Sequence, residues 1–267
     1  MPVDMAALAA DLAAESAVTR ALVAGLDEPG WRTPTPAAGW DIADQIGHLA
    51  YFDEAAVRSA VHPGEFRAEL AVQADEGVDA DTIAARYRDR TGAQMLAWFE
   101  SARAGLLTTF ANLDPRLRLP WFGPPMSAAS SLTARLMETW AHTQDIADAL
   151  GATREPTDRL RHVAHIGVGA RAFSYAVRGQ APPQAPVRVE LTPPSGTGPA
   201  WTWGPEDAAD RVTGPALDFC LLVTQRRHRD DLALVIDGPA AAEWMAIAQA
   251  FAGAAGTGRS PRRPAGA

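Results

Sequence analysis

Four runs of apolar residues at helical spacing occupy most of the first 151 positions of this 267-residue chain, and they constrain its fold more than any other feature. Residues 3–26 carry Ala, Leu and Val at that spacing, with Asp11, Glu15 and Arg20 largely on the other face, and Asp27-Glu28-Pro29-Gly30 stops the run. A second helix is expected over 42–61, with Asp41 as N-cap and Asp44 in a capping-box-like position. Its buried side is Ile42, Ile46, Leu49 and Phe52. A third is expected over 80–113, striped by Ile83, Tyr87, Met95, Trp98, Phe99, Leu106 and Phe110. The fourth covers 127–151, with Gly151 as its C-cap. Residues 65–80 are acidic and carry no clear pattern. Four amphipathic helices with one or two long connections bury their stripes as a bundle.

A fifth helix is expected over 156–178, and beyond Gly179 the character changes. Pro182, Pro183 and Pro186 read as a linker, 187–192 and 200–203 as short strands, and 207–225 as a helix interrupted or started near Gly214-Pro215. A strand-like run at 232–236 and a closing helix over 238–254 follow. The expected organisation is a helical bundle over 1–178, a small α+β domain over 179–254 and a disordered tail over 255–267.

Composition excludes several classes of function. A net charge of −8 argues against a nucleic-acid partner. Every basic residue other than histidine is arginine, and the single cysteine, Cys220, rules out an intrachain disulfide framework. No stretch approaches the ~20 apolar residues of a membrane span, and the N-terminus lacks a basic region followed by an apolar run. A cytoplasmic protein with no membrane partner is expected.

The fourth helix also carries the chemistry. Glu138 and His142 are four residues apart, which places both side chains on one helix face about 6 Å apart. A carboxylate and an imidazole are both ligands for divalent metals, zinc above all. A third ligand is needed, and His48, on the second helix at the border of its apolar side, is the best candidate. Three protein ligands leave a fourth position open, the arrangement of a catalytic rather than a structural site. Asp145 shares the face of Glu138 and His142 and is placed either as a second-sphere acceptor orienting a ligand histidine or on the helix surface. His162 and His165 read as helix-surface or core residues, and Cys220, among Phe219, Leu221 and Leu222, as a buried thiol.

These motifs resemble the mycothiol-dependent maleylpyruvate isomerase family. The matching pieces are Gly39-Trp40-Asp41 leading into Ile46-Gly47-His48-Leu49-Ala50, and Glu138-Thr139-Trp140-Ala141-His142-Thr143-Gln144-Asp145. The resemblance implies a DinB-like four-helix bundle followed by a small α+β domain, with zinc held by His48, Glu138 and His142. It also implies mycothiol, a low-molecular-weight thiol, as cosubstrate. The bound thiolate attacks an electron-poor carbon of a small electrophilic substrate, for isomerisation or for sulfur transfer. Val212-Thr213-Gly214 and the segment ending at Gln225-Arg226 match the family's stretch that ends in a functional arginine, which implies a catalytic or cofactor-binding role for Arg226, with Arg227 as the neighbouring alternative. From the residues alone, Arg226 is either a bidentate fork for a substrate or mycothiol carboxylate or part of a solvated basic cluster, Arg226-Arg227-His228-Arg229.

Two further functions stay open at this point. One is thiol-independent metal chemistry, hydrolysis or cyclisation of a specialised metabolite. The other is a non-catalytic metal- or ligand-binding module. His and Glu ligands also accept nickel or iron, so the metal's identity is open.

Overall fold

The computed structural model describes residues 3–262, which divide between Arg154 and Glu155 into two compact units. The first contains α1 (Met5–Val23), α2 (Glu28–Trp31), α3 (Ile42–Val61), α4 (Pro63–Asp75), α5 (Ala80–Ala85), α6 (Gly92–Phe110) and α7 (Ala128–Leu150). A two-residue ladder of β1 (Arg118–Leu119) and β2 (Met126–Ser127) closes the loop before α7. The long helices α1, α3, α6 and α7 form the bundle, with α3 beside α6 and α7, and α1 beside the same two. The ligand-bearing helices α3 and α7 are therefore neighbours.

Local chemistry sets the helix ends. The Asp41 side chain accepts from Asp44 N–H at 2.8 Å, and Asp44 accepts from Asp41 N–H at 3.1 Å, which is the reciprocal capping box expected at the start of α3. Ser127 caps α7, and Gly151 ends it with φ 63°, a left-handed conformation that glycine adopts without strain. The core is built from Leu12, Ile42, Ile46, Leu49, Met95, Phe99, Leu106, Leu132 and Leu136, all almost fully buried. Side chains of that size each stabilise the fold by about 1.5–3 kcal/mol when fully buried.

The expected helix over 80–113 is two helices. α5 ends at Ala85, and α6 begins at Gly92 behind a second capping box, in which Thr91 Oγ1 accepts from Gln94 N–H and Gln94 accepts from Thr91 N–H. The break is also steric: a Cβ on Gly92 would lie 2.1 Å from Trp31 Cδ1, so the indole fills the space a side chain would need. The acidic stretch after residue 62 forms α4, opened by Pro63 and anchored by buried Phe66.

The second unit contains α8 (Leu160–Gly169), α9 (Arg171–Ala176), β3 (Val187–Thr192), β4 (Trp201–Trp203), β5 (Asp210–Pro215), α10 (Ala216–Val223), β6 (Val235–Asp237) and α11 (Pro239–Ile247). Its sheet order is β4-β3-β5-β6, with β3 and β5 parallel and the outer pairs antiparallel. Of the two readings of 207–225, the structure has the helix starting after Gly214-Pro215; residues 210–215 before it form a strand that pairs in register with β3, Val212 opposite Val189.

The boundary differs from the one expected at 178/179. The fifth helix is α8 and α9, and it belongs to the C-terminal unit because α8 packs on α10. At Gly167 an added Cβ would lie 2.6 Å from Val223 Cγ2, so the two helices approach as closely as glycine permits. Residues 255–262 form neither helix nor strand but are not loose. Gly256 N–H donates to Gln249 Oε1 at 2.9 Å, and Arg262 N–H donates to Asp231 at 3.0 Å. The rest of the expected tail, 263–267, lies outside the described residues. None of the described helices is long and apolar enough to cross a membrane.

Candidate metal centre

His48 lies on the second turn of α3, and Glu138 and His142 lie on successive turns of α7. Among the described residues these three form a cluster whose ligand atoms all fall within 4.8 Å of one another. His142 Nε2 is 3.2 Å from Glu138 Oε2, and His48 Nε2 is 3.8 Å from the same oxygen. The edge of a tetrahedron with metal–ligand bonds near 2.1 Å is about 3.4 Å, so small side-chain adjustments bring these donors onto one ion. Side-chain exposures of 13%, 18% and 10% for His48, Glu138 and His142 shield the cluster while leaving it reachable.

The surroundings prepare the three groups as ligands. Gln45, fully buried one turn before His48, places its Oε1 against His142 Nδ1, and its Nε2 donates to Thr35 Oγ1 at 2.8 Å. With Nδ1 so engaged, His142 presents Nε2 to the cluster. Trp40 Nε1 donates to Asp81 at 2.6 Å, which holds the indole stacked on His142 at 6.0 Å and tilted on His48 at 5.4 Å. Phe52 covers His48 from the other side at 4.5 Å. His48 Nδ1 is buried with no hydrogen-bond partner, so the protein's own groups leave this imidazole under-satisfied.

Electrostatics point the same way. Burial, reinforced by the nearby His142, pushes the His48 pKa down to about 4, so the ring is neutral at pH 7. Burial alone would raise the Glu138 carboxyl, but hydrogen bonds from His142 and His48 outweigh it and hold the group well below the usual carboxylate range. A neutral imidazole beside an ionised carboxylate is the protonation state a divalent ion requires of its ligands. The donor set and the spacing fit a metal.

Beneath the cluster lies a buried charge network. Asp53 on α3 accepts from Arg103 Nε of α6 at 2.6 Å and from Arg135 Nε of α7 at 3.0 Å. Arg103 also donates to Thr139 Oγ1 at 2.9 Å and to Ser16 Oγ. On the open side, Trp121 and Phe122 of the proline-rich loop pack on Phe52 at 6.2 and 5.1 Å, and Phe122 stays 40% exposed. That loop thus extends an aromatic wall outward from His48.

Asp145 is fully buried on α7, and the His142 nitrogen that a second-sphere acceptor would hold is engaged by Gln45. Arg226 belongs to the C-terminal unit, where it follows α10 and donates from Nη1 to Thr224 O at 2.6 Å. Arg227 donates to Arg226 O at 2.6 Å. His162 is half-buried and His165 exposed on α8, and neither joins the cluster. Cys220 is buried, and its thiol is pushed well above the ordinary cysteine range by that burial. Gln45 was missed from sequence, although it is a polar residue on the apolar face of α3 one turn before a candidate ligand.

Residues 12–147 match the family model described as the mycothiol maleylpyruvate isomerase N-terminal domain. The chain belongs to this maleylpyruvate isomerase family. Residues 183–235 match a second model, described as wyosine base formation. Two uncharacterised proteins, from two strains of Mycobacterium tuberculosis, are each 48% identical over 252 residues, covering 94% of this chain and 97% of theirs. Among solved structures, the crystal structure of mycothiol-dependent maleylpyruvate isomerase has a TM-score of 0.57 at 16% identity. A histidine-to-alanine mutant of that isomerase has the same TM-score at 15% identity. Each covers 89% of this chain and 97% of the solved one, so the family fold, bundle and small α+β region together, extends through most of the chain.

Proposed function

We propose that this protein is a metal-dependent enzyme that uses a low-molecular-weight thiol, mycothiol, either to isomerise a small electrophilic substrate or to transfer the thiol's sulfur onto it. The observation that carries this reading is the convergence of His48, Glu138 and His142, one neutral imidazole and one ionised carboxylate among them, within 4.8 Å. Family membership and the name of the solved relative support the thiol and the reaction class.

In this reading the three side chains hold a divalent ion, zinc first among the candidates. Such an ion stabilises the thiolate form of a cosubstrate whose free thiol has a pKa near ~8.5. Gln45 keeps His142 in the tautomer that offers Nε2, and Trp40 and Phe52 exclude water from the ligands' flanks. Trp121 and Phe122 form the wall against which the substrate's apolar portion rests. Asp145 adds a buried carboxylate on the ligand helix, and Arg226 binds a carboxylate of the cosubstrate or substrate through its guanidinium fork. Addition of the thiol to an electron-poor unsaturated carbon, bond rotation and loss of the thiol give net isomerisation. Retention of the sulfur gives a thioether product.

The test is turnover of unsaturated carbonyl compounds by purified protein, with and without mycothiol, read by mass spectrometry of substrate and adduct. Activity that needs both metal and thiol supports the proposal. Turnover at full rate without thiol replaces it with metal-only chemistry.

A further inference from the structure

Aromatic rings line the approach to His48. Phe52 on α3 sits 4.5 Å from the imidazole, and Trp121 and Phe122 follow it outward at 6.2 and 5.1 Å from Phe52. Phe66 of α4 backs the same two rings at 6.2 and 5.7 Å, and Trp121 meets Phe122 edge to face at 5.1 Å. The bundle does not need the outermost ring as cover. Phe66 and Leu119 are already buried, while Phe122 keeps 40% of its surface exposed in the intact chain. A phenylalanine held in water forgoes the burial that makes this residue stabilising elsewhere.

The loop carrying Trp121 and Phe122 is built not to collapse. Pro120, Pro124 and Pro125 each fix a backbone angle. At its base Arg118 and Leu119 pair with Ser127 and Met126, and Ala128 N–H donates to Leu117 O at 2.9 Å. Ser59 Oγ donates to Pro120 O at 2.5 Å, and Arg118 donates to Pro125 O. Rings fixed in this way lose little freedom when a flat ligand rests on them. The helices beside the loop offer little to an anion. α4 carries Glu65, Glu69 and Asp75 against Arg67 alone. Arg58 of α3 is 3.3 Å from Glu69 and 4.0 Å from Glu54, and Arg135 of α7 is held by Asp53.

We propose that the electrophile taken at this site carries an aromatic ring beside its reactive carbon, and that Trp121 and Phe122 select it. This assignment rests on the metal–thiol reading above, which puts the reactive carbon at the cluster of His48, Glu138 and His142. What that carbon bears then meets the aromatic wall. A ring gains offset or edge-to-face contacts there in addition to the area it buries. A carboxylate in the same position loses its water and meets rings and acidic helices.

Ligand-detected NMR titration of the full-length protein with three saturated ketones tests this. Butan-2-one is the common core, 4-phenylbutan-2-one adds a ring, and 4-oxopentanoate puts a carboxylate where the ring would be. The phenyl ketone should bind roughly 10-fold tighter than either of the others, and Phe122→Ala and Trp121→Leu, each checked for folding by circular dichroism, should each weaken it about 5-fold. None of the three has the unsaturated carbon, so their binding is read apart from turnover. Phenyl-selective binding in a protein that never turns over unsaturated ketones with thiol bears out the aromatic site and overturns the proposed reaction. Equal affinity for the three ketones, tightest binding of 4-oxopentanoate, or unchanged affinity in both folded variants would overturn the aromatic assignment, even in a protein active with thiol.

Discussion

Asp53 Oδ1 lies 3.0 Å from Arg135 Nε, and this contact ties the helix of His48 to the helix of Glu138 and His142 inside the bundle. The other carboxylate oxygen takes Arg103 at 2.6 Å, so one buried anion holds two buried cations. Replacing Asp53 by Ala leaves both guanidiniums without their carboxylate in a water-poor interior. A loss of about 3–5 kcal/mol in unfolding free energy is expected, measured by urea denaturation. Asp53→Asn, which keeps the acceptor oxygen but not the charge, should fall between the two.

Gln45 is the residue that orients His142. Gln45→Leu keeps the volume and removes the hydrogen bond, so the bundle should persist while metal affinity falls by about 10–100-fold. Competition with a chromophoric chelator reads this directly. Equal affinities in the two proteins would remove Gln45 from the account.

The ionisation of the cluster makes the stability of the metal-free protein depend on pH. His48 titrates near 4 in the folded state and near 6.5 when unfolded, so the unfolded chain binds the extra proton between those values. Stability is full above pH 6.5 and falls as the pH drops toward 4. Glu138, held well below its ordinary range, adds to the loss below about pH 4.5, where the unfolded carboxyl protonates first. Denaturation series on chelator-treated protein from pH 7.5 to 4.5 should show this slope, and His48→Gln should flatten its upper part.

Gly92→Ala tests the packing that splits the third expected helix. The new methyl group would meet Trp31 Cδ1 at 2.1 Å, so the indole or the start of α6 must move. A destabilisation of about 1–3 kcal/mol is expected, read by thermal unfolding. Alanine normally favours a helix over glycine, so any increase in stability would contradict the steric account.

The helices and their ligands were legible because both obey short-range rules. Apolar spacing marked α1, α3 and α7, Asp41 and Asp44 marked the start of α3, and the i, i+4 spacing put Glu138 and His142 on one face. Three features were hidden because their causes lie far away in sequence. The break at Gly92 depends on Trp31, which the chain brings back from 61 residues earlier. The helix start after Gly214-Pro215 was among the readings the sequence allowed, but that 210–215 is a strand depends on the parallel edge β3 offers it. Gln45 and Asp53 read as ordinary polar positions on α3 until α7 supplies His142 and Arg135 as their partners. The domain boundary belongs to the same class, since α8 joins the C-terminal unit through its fit against Phe219 and Val223 on α10.

The central claim is that His48, Glu138 and His142 bind a metal with a position open to a thiol. Cobalt(II)-substituted protein tests it most directly, by absorption spectroscopy during titration with mycothiol. The account predicts a four- or five-coordinate cobalt spectrum that His48→Ala abolishes, and a sulfur-to-cobalt charge-transfer band that grows with added thiol. Cobalt bound through these three residues with a spectrum unchanged by saturating thiol would contradict it.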